Sequence, residues 1–189
     1  MSYLIPRHLT KNKFKFRIQD TYIIISNQKD EKEKYNYFLS ICDEIYRNEF
    51  TDDILKKIYN DGEIDYEHKL PPKIIGFDNP EYRLYPEEIN ELFTEYICYC
   101  KSDDFYGFQN RVILINTYSR DILNHFNRGK AKNILHFKDN NLYPIDAYYN
   151  LNYINWRGPE LLLTKNCEIT HEITEYFQGE GNGLDYLYM

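Results

Sequence analysis

Two four-residue runs, Tyr22-Ile23-Ile24-Ile25 and Val112-Ile113-Leu114-Ile115, are apolar without interruption. Each is too short for a core helix, so each predicts a buried strand. Strands of this kind belong to a packed core, and the composition agrees. Aromatic residues make up 17% of the 189 positions, with 20 Tyr and 11 Phe, far more apolar material than a disordered chain carries. The length suits one domain, and residues 1–189 are expected to form a single one. No apolar run approaches the ~18 residues of a membrane span. Polar Thr10-Lys11-Asn12-Lys13 follows the N-terminal apolar pairs too soon for a signal peptide. The expected compartment is the cytoplasm, or the host-cell cytoplasm if the source is viral.

Helical periodicity is clearest over residues 86–100, where Ile89, Leu92, Phe93, Tyr96, Ile97 and Cys100 share one face behind Pro86, Glu87 and Glu88. A second stripe (Tyr35, Phe38, Leu39, Cys42, Ile45, Tyr46) predicts a helix over about 29–47. Thr51 opens a short helix over about 52–60, with Asp52 and Asp53 at its positive end and Asn60-Asp61-Gly62 as a stop. Residues 62–84 lack periodicity, carry Pro71-Pro72 and Pro80, and predict a surface-crossing loop.

Residues 13–18 and 21–26 read as strands joined tightly at Gln19-Asp20. In the first, Lys13, Lys15 and Arg17 alternate with Phe14 and Phe16, as in a half-buried edge strand. Later strands are expected at 133–138, 142–149, 151–156 and 160–164, with Asp139-Asn140-Asn141 as a hairpin turn. Helices are expected from Ser119 to Gly129 and over about 168–177. This order predicts an α+β protein whose mixed, mainly antiparallel sheet packs against about five helices, in preference to a doubly wound fold.

Chemical motifs were tested against their spacing. Cys98 and Cys100, with Cys167 and His171, have the residue types of a zinc site. On a helix, however, the first two point about 200° apart. Glu168-x-x-His171 lacks the second such unit that a di-iron bundle needs, and Glu175 stands where a zincin helix has its second histidine. Asp53 with Glu67-His68-Lys69 has the residue types of a restriction-type nuclease, and His125, Asn133 and His136 those of a small histidine-asparagine nuclease. Neither set has the required arrangement. No Gly-x-x-x-x-Gly-Lys-Ser/Thr loop or Gly-x-Ser-x-Gly elbow is present. The four cysteines read as reduced thiols. Neither a metal nor another cofactor is expected.

A net charge of −7 argues against sequence-independent nucleic-acid binding. The remaining feature is aromatic: Tyr143, Tyr148, Tyr149, Tyr153 and Trp156 precede Arg157-Gly158-Pro159. Tyr, Trp and Arg are the residues enriched in binding hot spots. Tyr148, Tyr149, Tyr153, Trp156 and Arg157 are therefore the expected binding residues. The expected function is non-enzymatic binding of another protein or of a second copy of this chain, as an inhibitor, immunity-type factor or viral or phage accessory protein. No nucleic-acid or membrane partner is expected. The alternative is an enzyme acting on nucleic acid or nucleotides through dispersed carboxylates and His125 or His136. Clustering of those groups in one concave pocket would favour the enzyme, and an aromatic, pocket-free face would favour the binder.

Overall fold

The computed structural model describes residues 2–26, 28–82, 84–101, 108–117, 122 and 134–144. Eight strands are present among them: β1 (Tyr3–Leu4), β2 (Phe16–Arg17), β3 (Thr21–Ser26), β4 (Glu44–Arg47), β5 (Lys73–Asp78), β6 (Arg111–Asn116), β7 (Ile134–Lys138) and β8 (Asn141–Pro144). The helices are α1 (Glu31–Ile41), α2 (Asp52–Glu67) and α3 (Pro86–Lys101), with a 3-10 turn at Gln28–Asp30 before α1.

Six strands form one sheet in the order β4-β5-β6-β3-β7-β8. The first five run parallel, and only β8 is antiparallel to its neighbour. The chain is α+β, as its composition of elements implied. The expectation of a mainly antiparallel sheet with about five helices is corrected to a mixed, mainly parallel sheet with three α-helices among the described residues. The physical reason lies in the apolar runs. Strands buried on both faces lose the polar alternation of an antiparallel sheet that is half in water.

Both faces of this sheet are covered. Ile23, Ile25, Ile75, Phe77, Ile113 and Ile115 pack with Leu55 and Ile58 of α2 and with Ile89, Phe93 and Tyr96 of α3. Their strand neighbours Tyr22, Ile24, Ile74, Val112 and Leu114 face the other way, onto Tyr37, Phe38 and Ile41 of α1. From β3 the chain passes over α1 and skips two strands to reach β4 at the edge. It then returns through α2 to β5 and through α3 to β6. The reversal of direction is matched by a change of face, as a single crossover hand requires.

The segment 62–84, read from sequence as a surface loop, contains the last turns of α2 and the inner strand β5. Thr51 caps α2 as expected, its hydroxyl accepting from the Ile54 N–H at 3.3 Å. Gly62 does not stop the helix. A Cβ there would stand 2.3 Å from the Gln109 carbonyl oxygen, so glycine is what lets α2 approach that backbone. Replacing Gly62 with Ala should lose about 1–3 kcal/mol despite alanine's better helix propensity. A denaturation midpoint at or above wild type would show that α2 has room to move.

The helix expected over 29–47 ends at Ile41, because Cys42 turns to an extended conformation (ψ 133°) and Glu44–Arg47 pairs with β5. Strand β2 pairs with β1 and not with β3. Its segment does present Lys13 and Lys15 to solvent, while Phe14 and Phe16 meet Tyr22 edge-on. The hairpin turn between β7 and β8 is as read. Asp139 and Asn140 both take positive φ, 50° and 60°, the conformation of a two-residue type I′ turn.

Candidate functional site

Neighbouring β3 and β6 send their chains to opposite faces of the sheet. The chain leaving β3 enters α1, whereas Ile122, beyond β6, packs in the cluster under α2 and α3. In open parallel sheets, ligands bind outside the carboxyl ends of the strands at such a divergence. Here the strands stop being apolar. Arg47, Asp78 and Asn116 end β4, β5 and β6 in one register row, and Ser26 ends β3.

The polar groups at these strand ends fall into three hydrogen-bonded sets. The Asn116 Nδ2 donates to Asp78 Oδ1 at 2.8 Å, and the Tyr35 hydroxyl donates to Asp78 Oδ2 at 3.0 Å. Arg47 Nε stands 4.0 Å from the same Oδ2. Ser26 Oγ donates to Glu31 Oε2 at 2.8 Å, and Lys34 Nζ pairs with Glu31 Oε1 at 3.0 Å. Thr117 Oγ1 donates to Glu81 Oε2 at 2.9 Å. Ser26, Asp30, Lys34, Asp78, Asn116 and Thr117 are all buried, Lys34 to within 1% of complete.

Burying an ammonium is costly. Desolvation accordingly lowers the Lys34 pKa, and the carboxylates of Glu31, Asp78 and Glu81 work against that fall. Burial raises the Tyr35 pKa, helped by its bond to Asp78, which keeps that hydroxyl a donor. The three carboxylates Glu31, Asp78 and Glu81 outnumber the two cations Lys34 and Arg47.

Among the described residues, two acceptors in this region have no hydrogen-bond partner: Asn116 Oδ1 and Asp30 Oδ2. Asp30 occupies the N-cap position of α1, yet its side chain makes no capping bond. Buried acceptors are nearly always satisfied in folded proteins. Among the described residues, no three His, Cys, Asp or Glu side chains are placed to hold a metal ion by themselves.

Tyr148, Tyr149, Tyr153, Trp156 and Arg157 fall outside the described residues, as do His125, Asn133, Cys167, Glu168 and His171. Cys98 and Cys100 both belong to α3, as the zinc argument required. Asp53 and Glu67 sit at opposite ends of α2, with Glu67 in the helix and not in a loop. That separates them by about 20 Å at the helical rise and disperses the nuclease set. His136 lies within β7, buried, its pKa pushed down to about 4 by desolvation and by Lys138.

Sequence reasoning missed Lys34, Asp78, Asn116 and Thr117. A local signal existed for three of them. Asp78 and Asn116-Thr117 directly follow the apolar stretches of β5 and β6, the place where a parallel strand meets its ligand. Compared with protein-family models, curated proteins and solved structures, the chain matches none.

Proposed function

We propose that the protein binds a phosphorylated small molecule together with a divalent cation at the carboxyl ends of β3, β5 and β6. This narrows the nucleotide-processing alternative to its binding step. The observation that carries it is the buried Lys34 beside the Asp78–Asn116 pair at the point where the sheet's connections diverge. A lysine ammonium is a point charge suited to phosphate. A hard cation such as Mg²⁺ is commonly held by one or two carboxylates, with substrate phosphates completing its shell. Asp78 offers such a carboxylate, and the surplus of negative charge makes the cation a requirement for any phosphate to enter. Asn116 Oδ1 is free to accept from a water of that ion.

Isothermal titration and thermal unfolding with Mg²⁺, tripolyphosphate and ATP test the proposal. Binding is expected only when Mg²⁺ and a phosphate compound are both present. At a free ligand concentration 100-fold above Kd, the stabilisation is about 2.7 kcal/mol. For a chain of this size that raises Tm by about 5–10 °C. Asp78→Asn should weaken binding at least tenfold while keeping the circular dichroism spectrum. Absence of binding at millimolar ligand with Mg²⁺ present would refute the assignment.

A second reading, protein binding through the aromatic segment, is favoured by Tyr143. It is 46% exposed on β8, an edge strand of the sheet among the described residues, and it begins the run that continues through Tyr148, Tyr149, Tyr153, Trp156 and Arg157. An edge strand has one side open to a partner. In this reading the fluorescence of Trp156 in the isolated protein is red-shifted and readily quenched by iodide. A blue-shifted, quencher-resistant emission would place the indole in a core and remove it from the binding surface.

A further inference from the structure

A cleft of about 750 Å³ opens on the other side of β3 from Asn116, between the N-terminal arm, α1 and the β7–β8 turn. Its volume is in the range that holds an organic ligand. We infer that the phosphorylated ligand is a nucleoside polyphosphate whose base enters this cleft. The inference rests on the phosphate-site reading and adds the chemical class of the ligand.

Position makes the first argument. Phe137, which lines the cleft, is the register partner of Ser26. Ser26 in turn holds Glu31 of the polar groups at the strand ends. Cleft and polar groups therefore meet at the carboxyl end of β3, about one strand spacing apart. They also share α1. Glu33, Asn36, Tyr37 and Ser40 line the cleft at helical spacing, and Glu33 is next in sequence to Lys34. A single ligand with an anionic end and a ring fits across this junction.

Chemistry makes the second argument. Tyr37 and Phe137 stand with ring centroids 5.5 Å apart against the cleft, giving it an aromatic floor. The Tyr37 hydroxyl is buried and has no hydrogen-bond partner among the described residues. Asn36 and Asn140 add amides, which both donate and accept. The cationic side chain of Lys11 is balanced by Glu33 and Asp139, so the cleft does not recruit a second phosphate. An uncharged heteroaromatic ring with donor and acceptor edges meets each of these conditions, and it supplies the Tyr37 hydroxyl with a partner.

The test compares Mg²⁺-tripolyphosphate with the Mg²⁺ complexes of ATP, GTP, CTP and UTP by titration calorimetry. The proteins are the full chain, Tyr37→Phe and Asn36→Ala. Asn36 is exposed, so its variant keeps the fold even if Tyr37→Phe does not. At least one nucleotide is expected to bind tenfold or more tightly than tripolyphosphate. Both variants should bring that nucleotide down toward the tripolyphosphate affinity while leaving tripolyphosphate binding unchanged. Equal affinities for tripolyphosphate and all four nucleotides, insensitive to both variants, overturn the inference and leave the phosphate site standing. Failure of every phosphate compound to bind overturns both.

Discussion

Replacing Arg111 with methionine is expected to cost about 3 kcal/mol of stability, one of the largest single losses this fold should show. Arg111 begins β6 and its side chain is 2% exposed. Its guanidinium donates to Asp65 Oδ2 of α2 and to its neighbour's carbonyl, Asn110 O, at 3.1 Å. Removing one partner of a buried pair leaves the other charge uncompensated, typically at about 3–5 kcal/mol. The lower end applies here because Lys73 Nζ, 3.7 Å from the same carboxylate oxygen and itself 40% exposed, remains as a weaker partner. The double variant Arg111→Met with Asp65→Leu should recover most of the loss, since an apolar pair replaces the ionic one. The Arg111 hydrogen bond, above all other causes, holds the Asp65 carboxyl below the usual carboxylate range. The pair's contribution is therefore fully present above the unfolded value of about 3.9. It is lost as pH falls through the lower folded value. Urea unfolding of the native chain, Arg111→Met, Asp65→Leu and the double variant at pH 7 measures the cycle. A single-variant loss below about 1 kcal/mol would mean that solvent already screens the pair.

This network also explains why the segment after Gly62 was illegible in sequence. Asn60-Asp61-Gly62 has the composition of a helix stop. The helix nevertheless continues, because Asp65 is anchored to Arg111 and because Gly62 faces a backbone carbonyl. Both are tertiary facts. The inner strand β5 was hidden by Pro71-Pro72 before it and by Gly76 within it. Gly76 is there because a Cβ would lie 2.7 Å from both Phe38 Cζ and Cys42 Sγ of the overlying helix segment. Strand β4 was hidden by coincidence, since Ile45 and Tyr46 continue the helical spacing of α1 past its end. By contrast, α3 was legible in full. Ile89, Leu92, Phe93 and Tyr96 of its apolar stripe pack in a single cluster, so local periodicity and tertiary packing agree there. Strands β3 and β6 were legible as buried, but their direction depends on the crossovers that join them and not on the runs themselves. The candidate site was the least legible feature. Lys34, Asp78 and Asn116 are separated by 44 and 38 residues, counted from their positions. The strand order brings them together, and no local spacing encodes it.

Acidification should weaken the fold through His136 before the carboxylates protonate. His136 is 5% exposed within β7. Desolvation, reinforced by the charges of Lys138 and Lys29 and partly offset by Asp139, pushes its pKa down to about 4. The unfolded chain returns it to about 6.5. Between those values the unfolded state holds more protons than the folded one, so stability rises with pH across the window. The stability associated with the neutral ring is full above about pH 6.5. It declines as pH falls and is gone below about pH 4, a span worth on the order of 3 kcal/mol. Unfolding free energies at pH 7.0 and pH 4.5 should therefore differ by about 2–3 kcal/mol from this residue alone. His136→Leu, which keeps an apolar side chain of similar bulk, should remove that part of the difference and leave the pH 7 value within about 1.5 kcal/mol of wild type. Asp65 does not confuse the reading, because its own contribution fades only at lower pH. If His136→Leu shows the same loss on acidification as the native chain, the imidazole is already charged in the folded state. The sheet around β7 would then have to admit water or an anion to hold it.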